Sequence, residues 1–297
     1  DYRRELDIGR AVHTVTYKVG ETTYTRRCFS SYPAQVMVFR FTADQPGSYS
    51  GRISLTDTHD AKITAEGNRI TAVGDTAAHQ RYHIHTWTDP IVLDYEAQVL
   101  VLPTGGRLSV QGNGIAFEGC DSLTILLAAD TNYLNQRDKG WKGEHPHARL
   151  AAQLAAASTK PYEALEREHI DDYRGLFTRC ELDVGSTPAE VRGQTTDRRL
   201  TAYREGKPDP ELEALLFQFA RYLMISSSRP GSMPANLQGL WNHTNTPPWR
   251  CDYHTDVNLQ MNYWFVDRAN LTECFRPLIE WVHSIREVRR EATREAF

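Results

Sequence analysis

The chain has 297 residues, 40% hydrophobic and 24% charged, an ordinary balance for folded domains and enough length for two of them. Its net charge of -4 comes without a basic patch or stripe, which argues against a nucleic-acid-binding surface. No apolar run approaches the roughly 20 residues that a helix needs to span a bilayer.

Residues 6–19 read as strand from the start of the chain, with a β-branched and aromatic run at 12–17 (VHTVTY). A second run at 36–41 (VMVFRF) is followed by the turn signal Gln45-Pro46-Gly47-Ser48. Short runs continue at 69–73, 82–87, 94–102, 107–110 and 122–128, and Pro103-Thr104-Gly105-Gly106 separates two of them as a hairpin would. Many short strands with Gly/Pro/Asp punctuation predict a β-sandwich rather than βαβ units.

The character changes near residue 145. Residues 148–157 and 161–177 have helical composition and lead to a short apolar piece at 180–184. The polar stretch 185–207 reads as a connector. Residues 211–225 predict a strong helix with Leu212, Leu215, Leu216, Phe219, Tyr222 and Leu223 along one stripe. The last segment, 275–297, places Leu278, Trp281, Val282, Ile285 and Val288 at helical spacing with no Gly or Pro stop signal. With no initiator Met at Asp1, both ends read as cut, and the expectation is an excerpt of a longer protein. Secretion or a periplasmic location is compatible with that reading, the signal region then lying outside the chain.

The predicted organisation is therefore β then α: a sandwich over 1–145, a helical linker and connector over 146–208, and a helical domain over 209–297. Cys28, Cys120, Cys180, Cys251 and Cys274 are odd in number and never at CxxC spacing, which argues against a disulfide framework or a zinc cluster. His83 and His85 share a strand face and His145 and His147 lie close in sequence, but neither pair has an obvious third metal ligand. Glu163, Glu166 and Glu168 lie among basic residues on a linker helix and read as solvated.

Chemistry concentrates in residues 226–264, SSSRPGSMPANLQGLWNHTNTPPWRCDYHTDVNLQMNYW, with three Trp, two Tyr, five Asn, two Gln, two His and two Asp. Flexible linkers are Gly/Ser-rich or charged, not aromatic. Aromatic rings suit the apolar faces of a sugar, and amides, carboxylates and imidazoles suit its rim of hydroxyls. Trp241 and Trp249 read equally as sugar platforms or core anchors. Asn236 and Gln238 read as scaffold for the loop backbone. The segment Ser226-Ser227-Ser228 carries no G-x-S-x-G nucleophile elbow.

SSRPGSMPANLQGLWN at 227–242, PPW at 247–249 and DYHTDVNLQMNYW at 252–264 resemble the signature of glycoside hydrolase family 95, the inverting α-L-fucosidases. Weaker agreement follows in order at 24–41, 169–185 and 195–200, so the resemblance covers nearly the whole chain. It implies an N-terminal β-sandwich, a helical linker and a catalytic (α/α)6 barrel acting on a fucosylated oligosaccharide or glycan, with no cofactor or metal. An α-L-galactosidase of the same family and a non-catalytic carbohydrate-binding protein are the alternatives. An inverting glycosidase needs a carboxylic acid on the leaving oxygen and a base on the opposite face, roughly 6.5–9.5 Å apart. By the resemblance, His254 contacts the sugar and Asn258 holds the water, and both have the family's residue type. Asp256 stands where the family has a first Asn; it reads as a base for the water, or, with Thr255, as the cap of a helix over 257–267. The family's acidic Glu and assisting Asp are expected beyond residue 297. Twelve barrel helices need roughly 200 residues, more than the stretch 209–297 offers.

Overall fold

The structure is a computed structural model that describes residues 1–77 and 91–297. By internal contacts it divides into two compact units, Asp1–Asp172 and Tyr173–Phe297. The strand expected at 82–87, with His83 and His85, lies outside the described residues.

Among the described residues the first unit has eleven antiparallel strands: β1 (Tyr2–Asp7), β2 (Val12–Val19), β3 (Thr22–Ser31), β4 (Val36–Ala43), β5 (Tyr49–Ile53), β6 (Lys62–Glu66), β7 (Arg69–Asp75), β8 (Asp94–Thr104), β9 (Arg107–Gln111), β10 (Gly114–Cys120) and β11 (Ser122–Thr131). Eight form one sheet in the order β1-β2-β3-β4-β11-β8-β7-β6, and β5-β10-β9 form a second. Alternation along the central strands explains both faces of the large sheet. Val99 and Val101 of β8, Leu123 and Ile125 of β11, and Phe39 and Phe41 of β4 join Tyr49, Ile115 and Leu108 of the small sheet in one core. Their neighbours Leu100, Leu126 and Val38 face the other way. There they meet Leu150, Leu154 and Ala157 of α1 (His147–Ser158) and Leu165 of α2 (Tyr162–Phe177). A strand buried on both faces reads as a continuous apolar run, as β8 and β11 do. Each such side chain contributes about 1.5–3 kcal/mol by leaving water.

Three local expectations change. The stretch 6–19 is the end of one strand and the whole of the next, joined by a turn in which Ala11 takes a φ of 52°. The Pro103–Gly106 turn does not close a hairpin: β8 and β9 belong to different sheets, and β9 pairs with β10 instead. Gly105 and Gly106 both take left-handed φ, 67° and 63°, and a Cβ on Gly106 would lie 2.4 Å from the Glu118 carbonyl oxygen. Only glycine allows so abrupt a passage between layers. Glu166 is buried rather than solvated and pairs with the Arg27 guanidinium. His147 Nδ1 lies 2.9 Å from Glu96 Oε1 at the start of α1.

The second unit is helical. After the end of α2 come α3 (Ala189–Arg192), α4 (Thr196–Arg204), α5 (Pro210–Ser227), α6 (Asn258–Tyr263), α7 (Thr272–Ser284) and α8 (Arg286–Ala296). The stretch read as a connector thus contains two short helices. Their polarity hides them, since Arg199 is the one buried residue of α4 and α3 has none. Arg199 makes a two-pronged pair with Asp209, at 2.8 Å from Nε and 2.8 Å from Nη2. Asp209 also accepts from Thr187 Oγ1 at 2.6 Å and caps α5 through the Leu212 N–H at 3.1 Å.

Arg221 of α5 is wholly buried, yet no carboxylate bonds it. It donates to the carbonyls of Leu176, Phe177, Cys180 and Ala269 and to Gln218 Oε1. The last carbonyls of a helix have no partner within it, so the guanidinium satisfies the end of α2 and places a positive charge at its negative pole. No helix among the described residues is long and apolar enough to cross a membrane.

Candidate functional site

Residues 228–257 join α5 to α6 with little regular structure, and side chains hold them in place. The chief tether is a relay of four groups. Ser228 Oγ donates to the Cys274 carbonyl at 2.7 Å, so the Tyr263 hydroxyl, 2.8 Å away, must donate to Ser228. The same hydroxyl then accepts the Ala235 N–H at 2.7 Å. Burial pushes the Tyr263 phenol up, keeping the relay protonated. Tyr253 adds a bond to the Pro234 carbonyl at 2.8 Å, and Asn262 Nδ2 one to the Asn236 carbonyl at 2.8 Å.

Asn236 is the scaffold residue that its sequence context suggests. Its backbone exchanges hydrogen bonds with Gly239 at 3.2 and 3.0 Å, and its Oδ1 accepts the Gln238 N–H at 2.9 Å and the Cys251 thiol at 3.0 Å. The Cys251 bond ties down an unusual turn. Trp249, Arg250 and Cys251 all take left-handed φ, at 53°, 59° and 55°, a conformation that costs non-glycine residues about 1–2 kcal/mol each. Val257, before α6, has a φ of 131°.

These segments enclose an open cavity of about 540 Å³ lined by Leu237, Gln238, Pro248, Trp249, His254, Asp256 and Asn258. Trp249 is 76% exposed, which makes it a wall and not a core anchor, and its ring meets the His254 ring edge-on at 5.7 Å between centroids. His254 Nε2 is buried and lies 2.9 Å from Asp252 Oδ1 without the alignment of a hydrogen bond. Among the described residues the Asp256 carboxylate has no hydrogen bond or ion pair, and neither it nor Thr255 caps α6. The Gln260 side chain does that work, accepting the Val257 N–H at 3.2 Å and donating to the Thr255 carbonyl at 2.6 Å. That leaves Asp256 facing the cavity, with Asn258 beside it in sequence and in the lining. The helix expected over 257–267 is shorter, Asn258–Tyr263, and gives way to turns.

Trp241 lies apart from the lining. It is 48% exposed, and its ring packs against Gly239, where an added Cβ would stand 2.5 Å from the indole. Gln238, read as scaffold, is instead a lining residue whose Oε1 is buried without a partner among the described residues. Nothing in the sequence separates it from Asn236; the bonds of the turn do. All five cysteines are free, and no group of three or more His, Cys, Asp or Glu among the described residues could hold a metal ion.

An exposed aromatic wall, a free carboxylate, an amide and an imidazole around one open cavity form a site suited to a neutral, hydroxyl-rich ligand. Residues 161–297 match the family described as "Glycosyl hydrolase family 95 catalytic domain", and residues 1–136 match "Glycosyl hydrolase family 65, N-terminal domain". "Probable alpha-fucosidase A" of Aspergillus niger is 35% identical over 289 residues, covering 93% of this chain and 35% of its own length. "Alpha-L-fucosidase 2" of Arabidopsis thaliana is 33% identical over 302 residues, covering 96% of this chain and 36% of its own. A relative from Aspergillus oryzae, again named "Probable alpha-fucosidase A", is 32% identical, with shares of 92% and 38%. The fold and these matches define a glycoside hydrolase chain. Within that class it is similar to glycoside hydrolase family 95, whose catalytic domain residues 161–297 match. It spans little more than a third of the length of the three relatives.

Proposed function

We propose that this chain supplies the sugar-contacting and water-holding side of an exo-acting hydrolase that removes terminal α-L-fucosyl residues with inversion. One observation carries the reading. The segment with the family signature gathers Trp249, His254, Asp256 and Asn258 around a single cavity, and the relatives it matches are named α-fucosidases. In this mechanism Trp249 carries an apolar face of the sugar and His254 binds a hydroxyl. Asn258 orients a water molecule, and Asp256 takes its proton as the oxygen attacks the anomeric carbon. Trp241, outside the lining, is the second aromatic residue that this reading assigns to the sugar. The leaving oxygen is protonated by a Glu outside residues 1–297, which makes the chain inactive by itself. Residues 1–145, 146–208 and 209–297 serve in this reading as sandwich, linker with connector, and the start of the (α/α)6 barrel.

The test uses the full-length protein on aryl and natural α-L-fucosides, with proton NMR of the first-formed anomer. Inverted product supports the reading, and a retained anomer overturns the inverting assignment. Asp256, a carboxylate where the family has an amide, favours a second reading as an α-L-galactosidase or related exo-glycosidase, which preferential turnover of α-L-galactosides would support. Sugar binding without turnover of any glycoside would identify a carbohydrate-binding protein instead.

A further inference from the structure

Two buried side-chain atoms without an aligned hydrogen-bond partner among the described residues, Gln238 Oε1 and His254 Nε2, belong to residues that line the same cavity. We propose that Gln238 is a specificity-determining residue, its amide oxygen accepting the proton of one hydroxyl of the bound sugar. The proposal rests on the carbohydrate reading of the site but not on hydrolysis.

The chemistry of Oε1 narrows the ligand group opposite it. An amide oxygen only accepts, so a carboxylate or phosphate oxygen cannot satisfy it, whereas a hydroxyl can. The exposed Trp249 ring on the same cavity supplies the flat apolar surface that accompanies sugar hydroxyls. A buried acceptor left unmet carries its full desolvation cost, so a ligand lacking the matching hydroxyl is disfavoured more strongly than the loss of one contact suggests.

The backbone around Gln238 is built for accuracy. Asn236 and Gly239 close the turn in both directions, Asn236 Oδ1 holds the Gln238 N–H, and Asn262 holds the Asn236 carbonyl. Gly239 has a φ of 68°, and the Trp241 ring fills the space where its Cβ would stand. The turn fixes where the Gln238 side chain starts, which limits the hydroxyl positions its amide can reach.

The experiment is a cycle of enzyme and substrate changes in the full-length protein. Gln238→Met and Gln238→Ala are assayed on an aryl α-L-fucoside and on its 2-, 3- and 4-deoxy analogues. Each variant is expected to lose about tenfold in kcat/KM on the parent glycoside and less than about twofold on the single analogue lacking the paired hydroxyl. Equal losses on the parent and all three analogues, or no loss in either variant, would overturn the proposal. If the wild-type protein cleaves no α-L-fucoside, the fucosidase reading fails by itself. The role of Gln238 is then read from tryptophan-fluorescence titrations with free monosaccharides. Gln238→Met must weaken the tightest-bound sugar about tenfold, and unchanged binding would overturn it.

Discussion

Replacing Asp209 by Ala removes several bonds at one buried point. The carboxylate is only 2% exposed and pairs with Arg199 through two bonds of 2.8 Å. It also holds Thr187 and the first turn of α5. Breaking a buried pair by deleting one partner costs about 3–5 kcal/mol, because the remaining charge is left uncompensated; loss of the cap accounts for about 1 kcal/mol of that. At a urea dependence of about 2 kcal/mol per molar, the midpoint falls by about 1.5–2.5 M. Four of the six tryptophans (Trp241, Trp249, Trp264 and Trp281) lie in the second unit, so fluorescence follows the affected part. The Arg199 guanidinium beside Asp209 holds its carboxyl far below the usual carboxylate range. The pair's contribution is therefore complete above the unfolded-state value of about 3.9 and declines as pH falls through and below it toward the folded-state value. The gap between wild type and Asp209→Asn should be constant from pH 8 to about pH 5 and narrow below it. An Asp209→Ala cost under about 1 kcal/mol, or a gap that widens in acid, would refute the argument.

Tyr263→Phe breaks the relay and strands the Ala235 N–H, which should cost about 1–3 kcal/mol in urea unfolding; a cost below 0.5 kcal/mol, on the order of a surface change, would contradict the relay. Gly239→Ala meets both a left-handed φ and the Trp241 ring, so a loss of at least about 1–2 kcal/mol is expected, and a neutral result would show that the turn yields. Asp256→Asn in the full-length protein should lower α-L-fucoside turnover by about 10²-fold or more if Asp256 is the base. Unchanged or higher activity would remove it from that role.

Much of the first unit is legible because β-branched and aromatic runs are buried on both faces. Residues 36–41, 94–102 and 122–128 all fall inside β4, β8 and β11. β3 and β10 escape notice for opposite reasons. TTYTRRCFSS spends its alternation on polar residues that bond across the sheet, and GIAFEGC opens with one glycine and carries a second near its end. The Gly105-Gly106 pair signals a turn, but composition cannot say whether the chain returns to the same sheet or crosses to another. At the site, the aromatic and amide-rich composition marks the segment that lines the cavity, and the family signature singles out His254, Asp256 and Asn258. It cannot separate Asn236 from Gln238. Two amides two residues apart look alike until the turn engages the Asn236 oxygen in a backbone bond and leaves the Gln238 oxygen without one among the described residues.

The left-handed turn at Trp249, Arg250 and Cys251 also bears on how this site tolerates change. A chain selected for stability alone would place glycine or asparagine at such positions, which ordinary residues occupy only under strain. Arg250 is the natural place for that exchange, since it does not line the cavity, and it would relieve about 1 kcal/mol. A glycine there would also free the backbone that carries the exposed indole, so the relief would come with a softer wall. Stability and a fixed aromatic surface oppose each other at this one residue, and thermostabilised variants of the protein should be checked there first for lost discrimination.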